Sequence, residues 1–146
     1  MTHSFECPEC GNPRGMIGEC RQCGSEDLPI PHSDTMVLNL KLDSPSAEEA
    51  LEKLTIGLRR ASEVGIKVMI LIHGYGASGE GGRIKWAVHD ALDNNYFSDR
   101  VDEYYFGEQV AFGSDAYHAL LRRRSGLKAY LKHFKEGNAG MTVLLL

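Results

Sequence analysis

No apolar run in this chain is long enough to cross a bilayer. The strongest, Val68–Ile72 and Val143–Leu146, are a few residues long, where a spanning helix needs about 20. The start, Met1-Thr2-His3-Ser4-Phe5-Glu6, has neither the basic residues nor the apolar stretch of a secretory leader. A cytoplasmic protein without membrane attachment is therefore expected. No cysteine occurs after position 23, and in a reducing compartment the four present are not expected to pair as disulfides. Internal repeats and low-complexity tracts are absent, and no Gly-Lys-Ser/Thr of the Walker A type occurs. Excess positive charge is lacking too. Sixteen Lys and Arg face 20 Asp and Glu, for a net charge of −4, so bulk electrostatics do not advertise a nucleic-acid partner.

Acidic residues are missing from one stretch in particular. Between Ala116 and Lys135 lie Arg122, Arg123, Arg124, Lys128, Lys132 and Lys135, with no Asp or Glu. A local basic stripe on an acidic protein is a candidate phosphate-binding face, although an ordinary solvated helix face fits the same pattern. What remains is unexceptional: 146 residues, 42% hydrophobic and 25% charged, suit one compact soluble domain with a small appendage.

The four cysteines read Cys7-Pro8-Glu9-Cys10-Gly11 and Cys20-Arg21-Gln22-Cys23-Gly24, two CxxC knuckles nine residues apart. Two intervening residues let both thiolates of a knuckle face one ion, and the following glycine permits the tight backbone approach. Four sulfurs suit a closed tetrahedral zinc shell. Iron would accept the same ligands. Two redox pairs are less consistent, because no βαβ pattern begins at either knuckle. Four thiolates leave no open coordination position, so the expected role of Zn2+ is structural.

Along the chain, residues 1–25 read as a zinc ribbon and 26–35 as a proline-stiffened linker. Met36–Leu40 reads as a strand. Ser46 and Glu49 form a capping box for a helix whose Ala47, Ala50, Leu51, Leu54, Leu58 and Ala61 share one face. Lys67–Ile72 has the continuous apolar character of a strand buried on both sides. A second helix is expected from about Arg83 to Asn94, a strand over Val101–Phe106, a helix over Ser114–Phe134 with a break at Ser125-Gly126, and a closing strand from Met141. This order predicts a two-layer α/β sandwich on a small mixed sheet over 36–146, with a further helical segment near 113–136.

Between the second strand and second helix runs His73-Gly74-Tyr75-Gly76-Ala77-Ser78-Gly79-Glu80-Gly81-Gly82, with five glycines. A buried strand that ends in a glycine-rich loop before a helix is a recurrent anion site, because the first helical N–H groups are unpaired and the helix dipole favours negative charge. His73 stands at the strand's carboxyl end, where α/β folds place chemistry. Ser78 and Arg83 could add side-chain contacts. A histidine there can also simply cap the strand.

The stretch from Met36 to Leu146 resembles the small MutS-related (Smr) domain. Ile70-Leu71-Ile72-His73-Gly74-Tyr75-Gly76 is similar to that family's apolar strand followed by HGxG. Arg83–Val88 resembles its next helix, Ala47–Leu51 its first helix, and Gly140–Leu146 its closing strand. The resemblance implies a nucleic-acid-binding module, DNA or RNA, with His73, Gly74 and Gly76 on the functional face. Several such domains nick DNA or cleave RNA. The family's LDxH motif stands here as Leu38-Asn39-Leu40-Lys41, so its acid and its histidine are both replaced. Lys41 can still grip a phosphate, and nearby Asp43 is a candidate substitute for the lost acid. Binding tolerates this change better than cleavage, since binding needs donors and positive charge rather than a tuned base.

The leading expectation is a nucleic-acid-binding protein contacting its ligand through Lys41, His73, Gly74, Gly76, Ser78, Arg83 and the basic Arg122, Arg123, Arg124, Lys128 and Lys132. The alternatives are an endonuclease using Mg2+ or Mn2+, with His73 as acid/base and Asp43 as metal ligand, and a module that docks on a protein partner through its ribbon.

Overall fold

The structure is a computed structural model that describes residues 5–41, 45–74, 80–134 and 140–146, without the side chains of 80–81 and 131–133. Its strands are β1 (Phe5–Glu6), β2 (Pro13–Arg14), β3 (Ile30–Pro31), β4 (Thr35–Asn39), β5 (Val68–Ile72), β6 (Glu103–Phe106) and β7 (Met141–Leu145). The helices are α1 (Ala47–Glu63), α2 (Glu80–Asp93) and α3 (Asp115–Arg123), with 3-10 segments at Gly107–Val110 and Ser125–Phe134.

Four strands form the main sheet in the order β4-β5-β7-β6. β4 and β5 run parallel, while β7 is antiparallel to both β5 and β6. The sheet is therefore mixed, as the sequence predicts. Its side chains alternate between two cores, as the two-residue period of a strand demands. Met36, Leu38, Met69, Leu71 and Leu144 face Leu54 and Leu58 of α1 and Ile84 and Val88 of α2. Val68, Ile70, Val143 and Leu145 face Tyr117, Leu120, Leu127 and Phe134. The further helical segment thus covers the second face of the sheet and adds a layer to the expected sandwich.

Local signals explain most element ends. Glu49 N–H donates to Ser46 Oγ (3.1 Å) and Ser46 N–H to Glu49 Oε1 (2.9 Å), the reciprocal cap predicted for α1. Ser114 Oγ accepts from Tyr117 N–H at 3.1 Å and opens α3. That helix ends at Arg124, where φ −136° and ψ 83° leave helical space. One element starts earlier than expected: α2 begins at Glu80 rather than near Arg83, so Gly81 and Gly82 are helical. The first helical turn has no intrahelical N–H bonds to lose, which makes glycine tolerable there.

Residues 5–31 do not hang free. β3 lies inside the expected 26–35 linker and pairs with β1, giving a small β2-β1-β3 sheet. Phe5 and Met16 are buried in the same core as α1 and β4, with Ile17 packed against it. Arg60 of α1 donates from Nε to Met16 O at 2.8 Å. Gly57 makes this close approach possible, because a Cβ there would lie 2.9 Å from Leu38 Cδ2 and 3.6 Å from Ile17 Cδ1.

Candidate metal centre and strand-end site

The two cysteine knuckles are near copies of each other. Gly11 N–H bonds Cys7 O (2.9 Å) and Gly24 N–H bonds Cys20 O (2.7 Å). Both glycines have φ near +75°, a conformation that a side chain disfavours. The buried guanidinium of Arg14 donates to the carbonyls of Gly15, Gly18, Ser25 and Asp27, tying the loop between the knuckles to the chain that leaves them.

The four sulfurs lie within 4.8 Å of one another. Cys7 Sγ to Cys23 Sγ and Cys10 Sγ to Cys20 Sγ are both 3.6 Å, too long for a disulfide. Zn–S bonds of about 2.3 Å in a tetrahedron place the sulfurs at about 3.8 Å, so the cluster fits a metal such as zinc. The thiols also need a cation to ionise together. At Cys7 burial pushes upward, but N–H donors from Cys10 and Glu9 outweigh it and bring the thiol down to about 6. At Cys23 the N–H of Ser25 favours thiolate, yet burial and the sulfurs of Cys7, Cys10 and Cys20 push it up to about 12. A divalent ion among them removes that mutual repulsion. Among the described residues this is the one cluster of three or more His, Cys, Asp or Glu close enough to share a metal.

The second site lies at the carboxyl end of the parallel pair β4–β5. Asn39 is in register with Ile72, so Lys41 and Gly74 both sit two residues past that pair. Leu40 N–H bonds Ile72 O at 2.8 Å, which carries the pairing one residue further. Asn39 uses Oδ1 to accept from Lys41 N–H at 3.0 Å and fixes that turn. Lys41 is exposed.

His73 is fully buried. Nδ1 lies 2.7 Å from Gly74 O, and Nε2 lies 2.8 Å from Thr142 Oγ1. A carbonyl only accepts, so Nδ1 carries the proton and Nε2 accepts from the threonine hydroxyl. Burial, followed by the nearby His89 and Lys85, lowers the imidazole to about 4, which makes it neutral at physiological pH. The ring therefore straps the end of β5 to β7 and holds the Gly74 turn, where φ is +76°. His73 and Gly74 N–H groups both bond Gly140 O, at 2.9 and 3.1 Å.

Behind His73 lies a polar group that the sequence pattern did not single out. Lys85 is buried and pairs with Glu108 Oε2 at 3.0 Å. His89 is also buried, stacks on Phe106 at 3.6 Å, and meets the His73 ring edge-on at 5.8 Å. Its Nε2 has no hydrogen-bond partner among the described residues. The available signal was that Lys85 and His89 stand four apart, each directly after an inward residue of α2, Ile84 and Val88.

Of the remaining expected contacts, Arg83 is exposed on α2. Asp43, Gly76 and Ser78 lie outside the described residues, as does the side chain of Lys132. The basic run is not beside His73. Arg123 Nη1 bonds Glu103 Oε2 at 2.6 Å and Tyr105 Oη at 3.2 Å. Glu103 is in register with Leu145, and Leu145 with Val68, at the far end of β5 from His73. Gly126 approaches Asp34 and Thr35 at that same end, since Thr35 also pairs with Val68. Arg122, Arg123, Arg124 and Lys128 therefore stand some five residues of strand away, about 15 Å. The strand-end turn thus lies at one end of the sheet and the basic cluster at the other. Tyr117 is core.

A small mixed α/β domain whose buried strand ends in a histidine-glycine turn before a helix, with a four-cysteine ribbon packed against it, defines the class. A family model, the Smr domain, matches residues 40–122, more than half of the chain, and the protein belongs to that family. Smr domains are in general nucleic-acid-binding or nuclease-like modules. No curated protein and no solved structure matches the chain. Among the described residues, no helix is long and apolar enough to cross a membrane.

Proposed function

We propose that the protein binds DNA or RNA through its phosphate backbone at the carboxyl end of β4 and β5. The observation that carries this reading is the strapped turn at His73-Gly74. It leads into the glycine-rich stretch before α2 and is flanked by Lys41 and Arg83, two exposed cations without an ion-pair partner among the described residues. Gly76 and Ser78 belong to the same reading as backbone and hydroxyl contacts. The ribbon, holding Zn2+, serves as a structural support. Its apolar residues Phe5 and Met16 face the chain's own α1, which leaves less to support docking on a protein partner through it.

Binding is preferred to cleavage because His73 is neutral near physiological pH, with its one N–H given to Gly74 O and its lone pair to Thr142 Oγ1, which makes it a poor proton shuttle. One observation favours the endonuclease alternative, the buried and unpartnered Nε2 of His89 beside His73. The decisive measurement is affinity for generic DNA and RNA as a function of salt. Binding that weakens steeply with salt is expected, and no binding at low salt would sink the reading. Cleavage that requires Mg2+ or Mn2+ and disappears in His89→Ala would promote the alternative.

A further inference from the structure

We infer that Trp86 is a stacking platform for an unpaired base, so that the nucleic acid is single-stranded where it crosses α2; this rests on the nucleic-acid reading above. Trp86 is the chain's one tryptophan and is 65% exposed, although indoles are among the side chains that gain most from burial. Its exposure does not come from loose packing. The ammonium of Lys85 lies 5.5 Å from the ring centroid and is itself held by Glu108. The ring of His89 meets the indole edge-on at 5.6 Å and 77°, and His89 is stacked on Phe106. Buried groups thus fix the protein side of the indole, and the rest is left open.

Charge beside the ring indicates what covers it. Arg83 is exposed and stands three residues before Trp86, a neighbour on the same helical face. A phosphate at Arg83 presents its adjoining base at the indole. In a duplex the faces of the bases are already covered by their neighbours, whereas an unpaired base has a free face to stack on an aromatic side chain. The pairing of a cation and a flat ring on one exposed face is the arrangement that single-strand binders use.

Trp86 is its own reporter. The intact, metal-loaded protein is titrated with a short labelled single strand of mixed sequence, as DNA and as RNA, and with the same sequence as a blunt duplex. Tryptophan emission and label anisotropy are read together. Emission should be quenched as the single strand binds. Trp86→Ala should weaken single-strand binding about tenfold while leaving duplex affinity within about twofold, and Trp86→Phe should restore most of the loss. Because the side chain is exposed, the variants should melt near the wild-type temperature. A strand that binds without moving the emission overturns the platform alone, as does an equal loss on single strand and duplex. An emission change that follows protein concentration without nucleic acid assigns the indole to self-association instead. Absence of all binding at low salt overturns both this inference and the reading beneath it.

Discussion

His73 uses both ring nitrogens inside the fold, and this has a thermodynamic consequence. Its folded pKa is lowered to about 4, by burial above all, against an ordinary value of 6.5. Between those two values the unfolded chain takes up a proton that the folded chain refuses. Stability is therefore highest above about pH 6.5, falls as the pH drops, and levels off below about 4, for a total of about 3 kcal/mol. His89, also lowered by burial and then by Lys85, adds a smaller slope of the same sign. Urea unfolding of wild type and His73→Asn from pH 7 to 4 checks this. The variant should be less stable at pH 7 and nearly converge with wild type at pH 4. Parallel curves would show that this ring is not the titrating group. The motif around His73 was legible in the sequence, but its burial was not. The partner that closes the ring's second nitrogen is Thr142, 69 residues further on, and no local pattern announces that pairing. The same holds for Lys85 and His89, whose inward tilt depends on Glu108 and Phe106 arriving from another element.

Elements fare differently according to how local their causes are. The cap of α1 and the cysteine knuckles are set by residues within a few positions, and both are visible in the sequence. The docking of the ribbon is not. It depends on Gly57 leaving room for Ile17 and Leu38, on Arg60 reaching Met16 O, and on Phe5 and Met16 entering the main core. This shared core predicts how metal removal acts. A ribbon merely tethered to the domain would melt separately and leave the domain's transition unchanged. Here the loss of the ion loosens residues on which α1 and β4 pack, so chelation should lower the midpoint of a single cooperative transition. If the shared contacts are worth ~3–5 kcal/mol, the shift is about 10 °C in a chain of this size. Calorimetry with and without chelator, and on Cys20→Ser, measures it. Two separate transitions, with the larger one unmoved, would refute the coupling.

At the scale of the whole molecule, two sets of cations lie at opposite ends of one sheet. Lys41 and Arg83 flank the His73 turn, while Arg122, Arg124 and Lys128 stand about 15 Å away along the strands. Arg123 is committed to structure, since its guanidinium holds the Glu103 carboxyl down to about 2 and also contacts Tyr105. At physiological ionic strength the screening length is about 8 Å, so the far set should contribute little to a ligand gripped at the turn. Each neutralised phosphate contact removes about 0.7 from the slope of log affinity against log salt for a single strand. Lys41→Ala with Arg83→Ala should therefore flatten that slope by about 1.4, whereas Arg122→Ala with Arg124→Ala should leave it within error at about 0.15 M salt. Lowering the salt to about 0.01 M extends the screening length to about 30 Å, and there the far pair should begin to weaken binding as well. A full loss in the far pair at physiological salt, with the near pair unaffected, would put the nucleic acid across the further helical segment and away from the strand-end turn.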